Sequence, residues 1–264
     1  MSEDKEKIDA DLNDNKEEKI NDNNIDLKKD KDGKTEQTLK YSIIKDELTQ
    51  YDMSFKLIII GDSFVGKSCL TTRATKNFFE NYYTATVGFE FFTFACKIND
   101  QNVRLQIWDT CGQEEYRSLI QNFYRNASIA ILVYAIDKRE SFENLEIWLN
   151  EIKTKGNPDV KIFLVGNKND LEDKRVISKK EGEQFYRDNK LTLFLETSAK
   201  SGMNVQELFK KAAEILYKEH SDYKNMANKN GILLKLPDAS DENHNILEKD
   251  EDENEKRKKK CCLG

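Results

Sequence analysis

Residues 61–68 read GDSFVGKS and directly follow an apolar run, FKLIII, at residues 55–60. The motif matches the pattern G-x-x-x-x-G-K-[ST] in full, and it lies between a predicted strand and a predicted helix. In that context, backbone N–H groups at the start of the helix face an anion, and the helix dipole favours its negative charge. Lys67 can reach the β- and γ-phosphates of a nucleotide, and Ser68 can bind Mg²⁺. The stretch therefore predicts a phosphate-binding loop.

Phe64 occupies an interior position of this loop where a smaller residue would fit more easily. The position is variable in the motif, so the Phe side chain can point away from the phosphates while its N–H still contributes. A positive φ at this position would strain a Phe. We expect nucleotide binding to survive and leave the hydrolysis rate open.

Composition divides the chain of 264 residues into three parts. Residues 1–52 are rich in Asp, Glu, Lys and Asn, and such a segment buries too little apolar surface to offset its ordering entropy. We predict a disordered charged extension there, and its simplest interpretation is a solvated tail without a specific role. Residues 53–220 hold most of the apolar runs and have the size of one domain. Residues 221–264 are polar again and are predicted to form a flexible tail.

Targeting and cysteine patterns add few constraints. The acidic N-terminus lacks the apolar segment of a secretory signal, and no apolar run approaches the roughly 18 residues of a membrane span. The five Cys do not suggest a disulfide framework. We expect Cys69, Cys96 and Cys111 to be small buried residues in a reducing compartment.

Strand and helix patterns alternate within residues 53–220. Six apolar, β-rich runs predict strands at residues 56–60, 89–98, 103–108, 128–136, 161–166 and 191–197. Helical spacing predicts a helix over residues 140–155, and capping boxes (Ser178 with Glu181, Asn204 with Glu207) predict the starts of two others. This order implies an α/β fold with a six-stranded, mostly parallel sheet and helices on both faces. Ligands of such sheets bind beyond the carboxyl ends of the strands.

A phosphate loop alone does not distinguish a kinase, an ATPase and a GTPase. The sequence WDTCGQE at residues 108–114 supplies Asp109 for Mg²⁺, Gly112 for an N–H to the γ-phosphate, and Gln113 to orient the attacking water. Upstream, the hydroxyl of Thr86 could complete the oxygen shell of the metal. Together, and in this order along the chain, these residues indicate a site for nucleotide hydrolysis rather than a set of unrelated surface positions.

Two further motifs predict the contacts to a base. In NKND, at residues 167–170, the carboxylate of Asp170 can accept two N–H bonds from guanine, which adenine cannot offer, while Asn167 can bond the base edge. In TSAK, at residues 197–200, the N–H of Ala199 can meet the guanine oxygen. The stems of Lys168 and Lys200 can cover the two faces of the ring. A short NKND is common by chance in a chain this rich in Asn, Asp and Lys, but its position after a predicted buried strand, with SAK after the next strand, makes the motif signal specific.

Residues 53 to about 220 resemble the Ras superfamily of small GTPases, and within it the Rab family. The resemblance rests on the motifs GDSFVGKS, TVGFEF, LQIWDTCGQEEYRS, FYRNASIAILVYAID, NKND and ETSAK. It implies a P-loop small G domain that binds GTP and GDP with Mg²⁺, and in which Lys67 and Gln113 are catalytic. Ser68, Thr86 and Asp109 are the implied metal ligands. The implied nucleotide contacts are Asp62, Ser63, Phe64, Val65, Gly66, Lys67, Ser68, Cys69, Phe79, Tyr83, Thr86, Gly112, Asn167, Lys168, Asp170, Ser198, Ala199 and Lys200.

The resemblance also implies partners. They are an exchange factor, a GTPase-activating protein, a GDP-dissociation inhibitor and effector proteins in vesicle traffic, with no nucleic-acid partner. Phe91, Trp108 and Phe123 resemble the aromatic triad that couples the two switch segments to effectors. Cys111 stands where Rab proteins usually have Ala, and Glu115 where they usually have Arg, which puts the usual regulator contacts in doubt. A GTP-binding scaffold with little hydrolysis is therefore the alternative, and an ATP-using enzyme is a third.

The chain ends in KRKKKCCLG at residues 256–264. A paired-Cys end resembles Rab tails that receive geranylgeranyl groups, in this chain on Cys261 and Cys262. Two lipid chains hold a protein stably on a membrane, whereas one is marginal. A C-a-a-X box using Cys261 alone, with Gly264 as a poor last residue, and an unmodified basic end remain alternatives. We expect the cytoplasmic face of an intracellular membrane, together with a soluble cytosolic pool.

Overall fold

The computed structural model describes residues 39–44, 50–80, 86, 88–112 and 123–229, with side chains as far as residue 225. By its contacts the chain divides into two units, residues 1–39 and residues 40–264, and all of the described strands and helices belong to the second. Residues 221–229 of the predicted tail belong to the last described helix, and the rest of the tail, with Cys261 and Cys262, lies outside the described residues.

One sheet carries the fold, and its strand order is β1-β3-β4-β2-β5-β6-β7. Strand β2 pairs in parallel with β4 and β5, and β5, β6 and β7 continue in parallel, whereas β3 is antiparallel to both of its neighbours. The predicted α/β class with a mostly parallel sheet is confirmed. The strands are β1 (Tyr41–Ile44), β2 (Met53–Ile60), β3 (Phe89–Ile98), β4 (Gln101–Thr110), β5 (Ile129–Ala135), β6 (Lys161–Asn167) and β7 (Leu193–Glu196).

Five α-helices and a 3₁₀-helix are found in the described residues. They are α1 (Lys67–Lys76), α2 (Arg139–Glu143), α3 (Leu145–Lys155), the 3₁₀-helix (Asn169–Lys174), α4 (Lys179–Asp188) and α5 (Val205–Lys229). Buried residues of β2 and β5 pack against α3 in one cluster that includes Ile58, Leu132 and Trp148. On β3, Phe94 stacks on Phe209 of α5 with ring centroids 5.5 Å apart. Among these helices, none is both long and apolar enough to cross a membrane.

Helix boundaries follow some of the predicted signals. At α4 the capping box is present, because Ser178 accepts from the N–H of Glu181 and the Glu181 side chain accepts from the N–H of Ser178. The predicted capping box at Asn204 is wrong: this residue has φ 57, and its side-chain amide donates to the carbonyl of Glu196 at 2.8 Å. The single helix predicted over residues 140–155 is divided at Asn144 into α2 and α3.

Strand β1 is the element that the sequence prediction missed. Four residues within the segment predicted to be disordered pair antiparallel with Ala95–Ile98 at the edge of β3. The N–H of Asn99 donates to the carbonyl of Lys40 at 2.8 Å, and the N–H of Lys40 donates back to the Asn99 side chain at 3.1 Å. The predicted count of six strands is therefore wrong, because this edge is completed by a short run, YSII, within a distant and otherwise mostly polar segment.

Tyr41 attaches β1 to the rest of the domain. Its half-buried ring lies 5.3 Å from the Lys210 ammonium on α5. We expect Tyr41→Ala to lower the free energy of unfolding by about 2 kcal/mol, somewhat less than truncating a fully buried aromatic. Urea unfolding of protein loaded with the same nucleotide would measure this, since a bound ligand adds to stability.

Ile43 in the same strand provides the matched control. Its side chain is 43% exposed, so Ile43→Ala should change stability by about 0.5 kcal/mol or less. Equal effects of the two substitutions would show that Tyr41 does not attach the strand.

Candidate nucleotide-binding site

Residues that follow β2, β6 and β7, together with the end of β6, line a cavity of about 580 Å³. A second pocket of about 30 Å³ adjoins it at the start of α1. Both are lined by residues 64, 66, 68, 69 and 86, so they form one continuous site. Its size is within the usual range for small-molecule sites. The larger cavity is lined by Phe64, Gly66, Ser68, Cys69, Thr72, Phe78, Phe79, Glu80, Thr86, Glu90, Asn167, Lys168, Asp170, Leu171, Ala199 and Lys200.

The loop of residues 61–66 needs glycine at both ends. At Gly61, where φ is 138°, a Cβ atom would lie 2.2 Å from the carbonyl oxygen of Val133 on β5. At Gly66, where φ is 94°, it would lie 2.4 Å from the side-chain nitrogen of Asn167. The loop therefore packs directly against two neighbouring strands, and α1 starts at the next residue.

Phe64 also has a positive φ, 68°, and its side chain is 57% exposed. The sequence predicted strain at Phe64 for a positive φ, and φ is positive in the structure. The left-handed conformation costs about 1–2 kcal/mol for a residue with a Cβ. Left-handed residues in a turn of this kind direct neighbouring N–H groups towards a common anion. The strain at Phe64 is thus compatible with the phosphate-binding geometry of the loop.

Lys67 is buried at the bottom of the site. Its ammonium donates to the carbonyls of Gly61 and Asp62, both at 2.9 Å, and so closes the loop on itself. Burial lowers the pKa of Lys67 to about 8, although the nearby carboxylate of Asp109 opposes that shift. A phosphate beside the ammonium would favour the charged form of the side chain.

The residues predicted to hold a metal meet on the same side of the loop. The hydroxyls of Ser68 and Thr86 are 2.7 Å apart. Asp109 is fully buried, and neither carboxylate oxygen has a hydrogen-bond partner among the described residues. Burial raises the pKa of Asp109 to about 6, while Ser68 and Lys67 act in the opposite direction.

A divalent cation would satisfy this carboxylate, and oxygen donors of these kinds suit Mg²⁺. The residues present therefore fit the metal that the sequence predicts. When bound, Mg²⁺ would neutralise charge on the phosphate oxygens. Ser68, Thr86 and Asp109 would hold it, directly or through water.

At the far end of the cavity, Asn167 joins three segments. Its amide nitrogen donates to the carbonyl of Val65 at 2.8 Å, and its amide oxygen accepts from Thr197 at 3.2 Å and from the N–H of Ala199 at 3.3 Å. The sequence prediction gave Asn167 a contact to the base edge. In the structure this side chain links the phosphate loop to the loop of residues 197–200 and also lines the cavity, so its contact to the base edge stays a prediction.

The predicted guanine-reading carboxylate lies beside Asn167. Asp170 accepts from the hydroxyl of Ser198 at 2.6 Å, which orients one of its two oxygens. Lys168, with φ 66, pairs with Asp137 at 3.4 Å and lines the cavity. Lys200 lines the cavity from the opposite loop. The structure thus brings together, around one cavity, the residues predicted to contact a base.

A family model described as the Ras family matches residues 56–218, more than half of the 264 residues. The chain belongs to the Ras family. Members of this family are small GTPases that bind GTP and GDP with Mg²⁺ and act through regulators and effectors. The matched range begins in β2 and ends in α5, so it contains every described residue of the site. Strand β1 lies outside it.

Two predicted positions of this Ras-family site, Tyr83 and Gln113, lie outside the described residues, as does Glu115, the departure from the Rab pattern. Gly112, the residue directly before Gln113, packs tightly against the backbone of the phosphate loop. A Cβ atom there would lie 2.4 Å from the backbone nitrogen of Ser63. The preceding Cys111 is buried, as predicted, and its N–H donates to the carbonyl of Gly88 at 3.0 Å.

Asp62 has a partner that sequence reasoning missed. Its carboxylate accepts from the indole N–H of Trp148 and from the side-chain amide of Asn144, each at 2.8 Å. This carboxylate therefore anchors the phosphate loop to α3, and only the backbone of Asp62 is left for a nucleotide. The partners are 82 and 86 residues away in sequence, so no local pattern could have revealed them.

The predicted aromatic triad is assembled from Phe91 on β3, Trp108 on β4 and Phe123, which precedes β5. Trp108 lies 5.3 Å from Phe91 and 5.0 Å from Phe123 between ring centroids. Phe89 joins them at 4.5 Å from Phe123. Phe89 and Phe91 are nearly half exposed, so the cluster forms a partly exposed apolar surface.

Proposed function

We propose that this Ras-family protein is a Rab-like GTPase that hydrolyses GTP to GDP and phosphate and recruits effectors in vesicle traffic. The buried carboxylate of Asp109, without a hydrogen-bond partner among the described residues and beside the Ser68–Thr86 pair and Lys67, supports a magnesium–triphosphate ligand. The Asp170–Ser198 contact at the other end of the cavity supports guanine as the base.

The reaction proposed is in-line attack of water on the γ-phosphate. Lys67 stabilises the charge on the phosphates, and Gln113 orients the water. Neither the 30 Å³ pocket nor the larger cavity has an arginine among the described residues that line it. Unaided hydrolysis should then be slow, on the order of 10⁻⁴ to 10⁻³ per second, with acceleration by a partner protein.

The output of such a switch is binding. The surface of Phe89, Phe91, Trp108 and Phe123 is proposed to receive effectors, since exposed aromatic clusters are typical of binding hot spots. Asp109, the residue after Trp108, is a proposed metal ligand. The Trp108 end of this surface is therefore one residue along β4 from the proposed metal site.

Single-turnover hydrolysis of bound GTP, with and without a GTPase-activating protein, tests the proposed reaction. We expect slow hydrolysis alone and faster hydrolysis with an active partner. The scaffold alternative, in which Phe64 and Glu115 disturb the switch segments, predicts no acceleration by any active partner. Retention of ATP in preference to GTP would contradict both.

Membrane attachment through geranylgeranyl groups on Cys261 and Cys262 is proposed from the sequence of the tail. Tagged protein should lie on an intracellular membrane, and the variant with both Cys replaced by Ser should be cytosolic. Each single variant should be intermediate, because one lipid chain holds only marginally. Membrane localisation of the double variant would defeat this part of the proposal.

A further inference from the structure

Arg73, on the second turn of α1, binds backbone groups that are distant in sequence. Its Nε donates to the carbonyl of Ala199 at 2.8 Å, and one terminal nitrogen donates to the carbonyl of Lys200 at 2.7 Å. The other terminal nitrogen donates to the carbonyl of Asn77 at 3.2 Å. A planar guanidinium is suited to such a fork, because its donors have fixed directions.

The groups held by Arg73 belong to two sides of the larger cavity. Ala199 and Lys200 line it from the loop after β7, and Phe79 lines it from the segment after α1. The guanidinium carbon lies 6.0 Å from the centroid of the Phe79 ring, within the range of a cation–π contact. Arg73 itself does not line the cavity, so it acts on a ligand only through these neighbours.

The position of Arg73 on α1 connects the two ends of the site. The same helix begins with Lys67 and Ser68, which line the pocket proposed for the phosphates. Asn167 already links the phosphate loop to the N–H of Ala199. Arg73 holds the other side of that residue, its carbonyl, so the peptide planes around Ala199 are fixed from both directions.

We infer that Arg73 is a positioning residue that holds the base-binding loop at Ala199–Lys200 and the Phe79 ring around the nucleotide base, and so slows nucleotide release. This inference rests on the proposed guanine-nucleotide function. It adds a residue that the motifs do not contain and that makes no contact with the nucleotide itself.

The test is the rate at which GDP leaves the full-length protein in the presence of Mg²⁺, measured with fluorescent GDP and an excess of unlabelled GDP. Arg73→Gln should release GDP about tenfold faster, the size expected for losing hydrogen bonds from a charged group. Arg73→Lys should be intermediate, because Lys keeps the charge but lacks the fork.

Lys76 provides the matched control, since it lies on the same helix with the same charge. Its ammonium is 5.5 Å from the Phe92 ring on β3, and it does not line the cavity. Lys76→Gln should therefore release GDP within about twofold of the wild-type rate, well below the tenfold expected from lost hydrogen bonds.

Two further readouts separate positioning from general loosening of the fold. Single-turnover hydrolysis of bound GTP should be unchanged in Arg73→Gln, because Arg73 does not contact the phosphate pocket. The preference for GDP over ADP in competition should fall, because the altered loop is the one proposed to read the base. The inference would be overturned if Arg73→Gln released GDP at the wild-type rate. It would also be overturned if the substitution slowed GTP hydrolysis by the same factor as it speeded GDP release.

The same assay separates this inference from the proposed function. If the wild-type protein binds no GDP, the proposed function fails. If it binds GDP and Arg73→Gln retains it equally well, only the role of Arg73 fails. Should Arg73→Gln not fold, Arg73→Lys with a wild-type release rate overturns the inference.

Discussion

Lys67→Ala is expected to lower the affinity for GTP by about a thousandfold, since removing one partner of a buried charge costs several kcal/mol. The ammonium is almost completely buried and closes the phosphate loop through Gly61 and Asp62. Its loss removes both the charge that would face the phosphates and a restraint on the loop. Titration with a fluorescent GTP analogue in the presence of Mg²⁺ would measure the affinity.

Lys153→Ala is the control for that experiment. This side chain lies exposed near the end of α3 and does not line the site. The substitution Lys153→Ala removes one positive charge, as Lys67→Ala does, but should leave the affinity for GTP unchanged. If Lys67→Ala also bound GTP as tightly as the wild type, the assignment of the phosphate pocket would be wrong.

The second large effect is expected from Asp170→Asn. A carboxylate accepts from the N1 and N2 positions of guanine, whereas an amide matches the edge of xanthine. The affinity for GTP should fall by about a hundredfold, and that for xanthosine triphosphate should rise, as expected for a lost charge-assisted pair. Competition between the two nucleotides for the same preparation would measure the preference.

Asp173→Asn controls for the loss of a negative charge, because Asp173 is an exposed residue of the same 3₁₀-helix and lies outside the cavity lining. The preference of Asp173→Asn for GTP over xanthosine triphosphate should equal that of the wild type. An unchanged GTP affinity in Asp170→Asn would contradict the assignment of this carboxylate to the base.

The sequence was most informative where a local pattern determines local geometry. The phosphate loop needs glycine at positions 61 and 66 because the backbone there meets β5 and Asn167, and its motif is short and continuous. The buried strands were predictable because β5 consists entirely of buried residues, which gives an unbroken apolar run. The order of these elements along the chain then placed the site at one edge of the sheet.

The contacts that sequence reasoning missed join residues far apart in the chain. The pairing of β1 with β3, the Asp62–Trp148 bond and the hydrogen bonds of Asn167 depend on how distant segments are packed. Polar side chains such as Asp62 and Asn167 have two candidate partners, the ligand and the protein. Composition and spacing cannot distinguish these partners, and only the folded geometry does.

Strand β1 changes what the edge of the sheet can do. An unpaired strand edge presents backbone N–H and C=O groups on which another chain can add a strand. In this protein the last four residues of β3, Ala95–Ile98, are already paired with Tyr41–Ile44. A shortened chain beginning at residue 53 would uncover those four residues, and self-association through intermolecular strand pairing would become a hazard that the longer chain avoids.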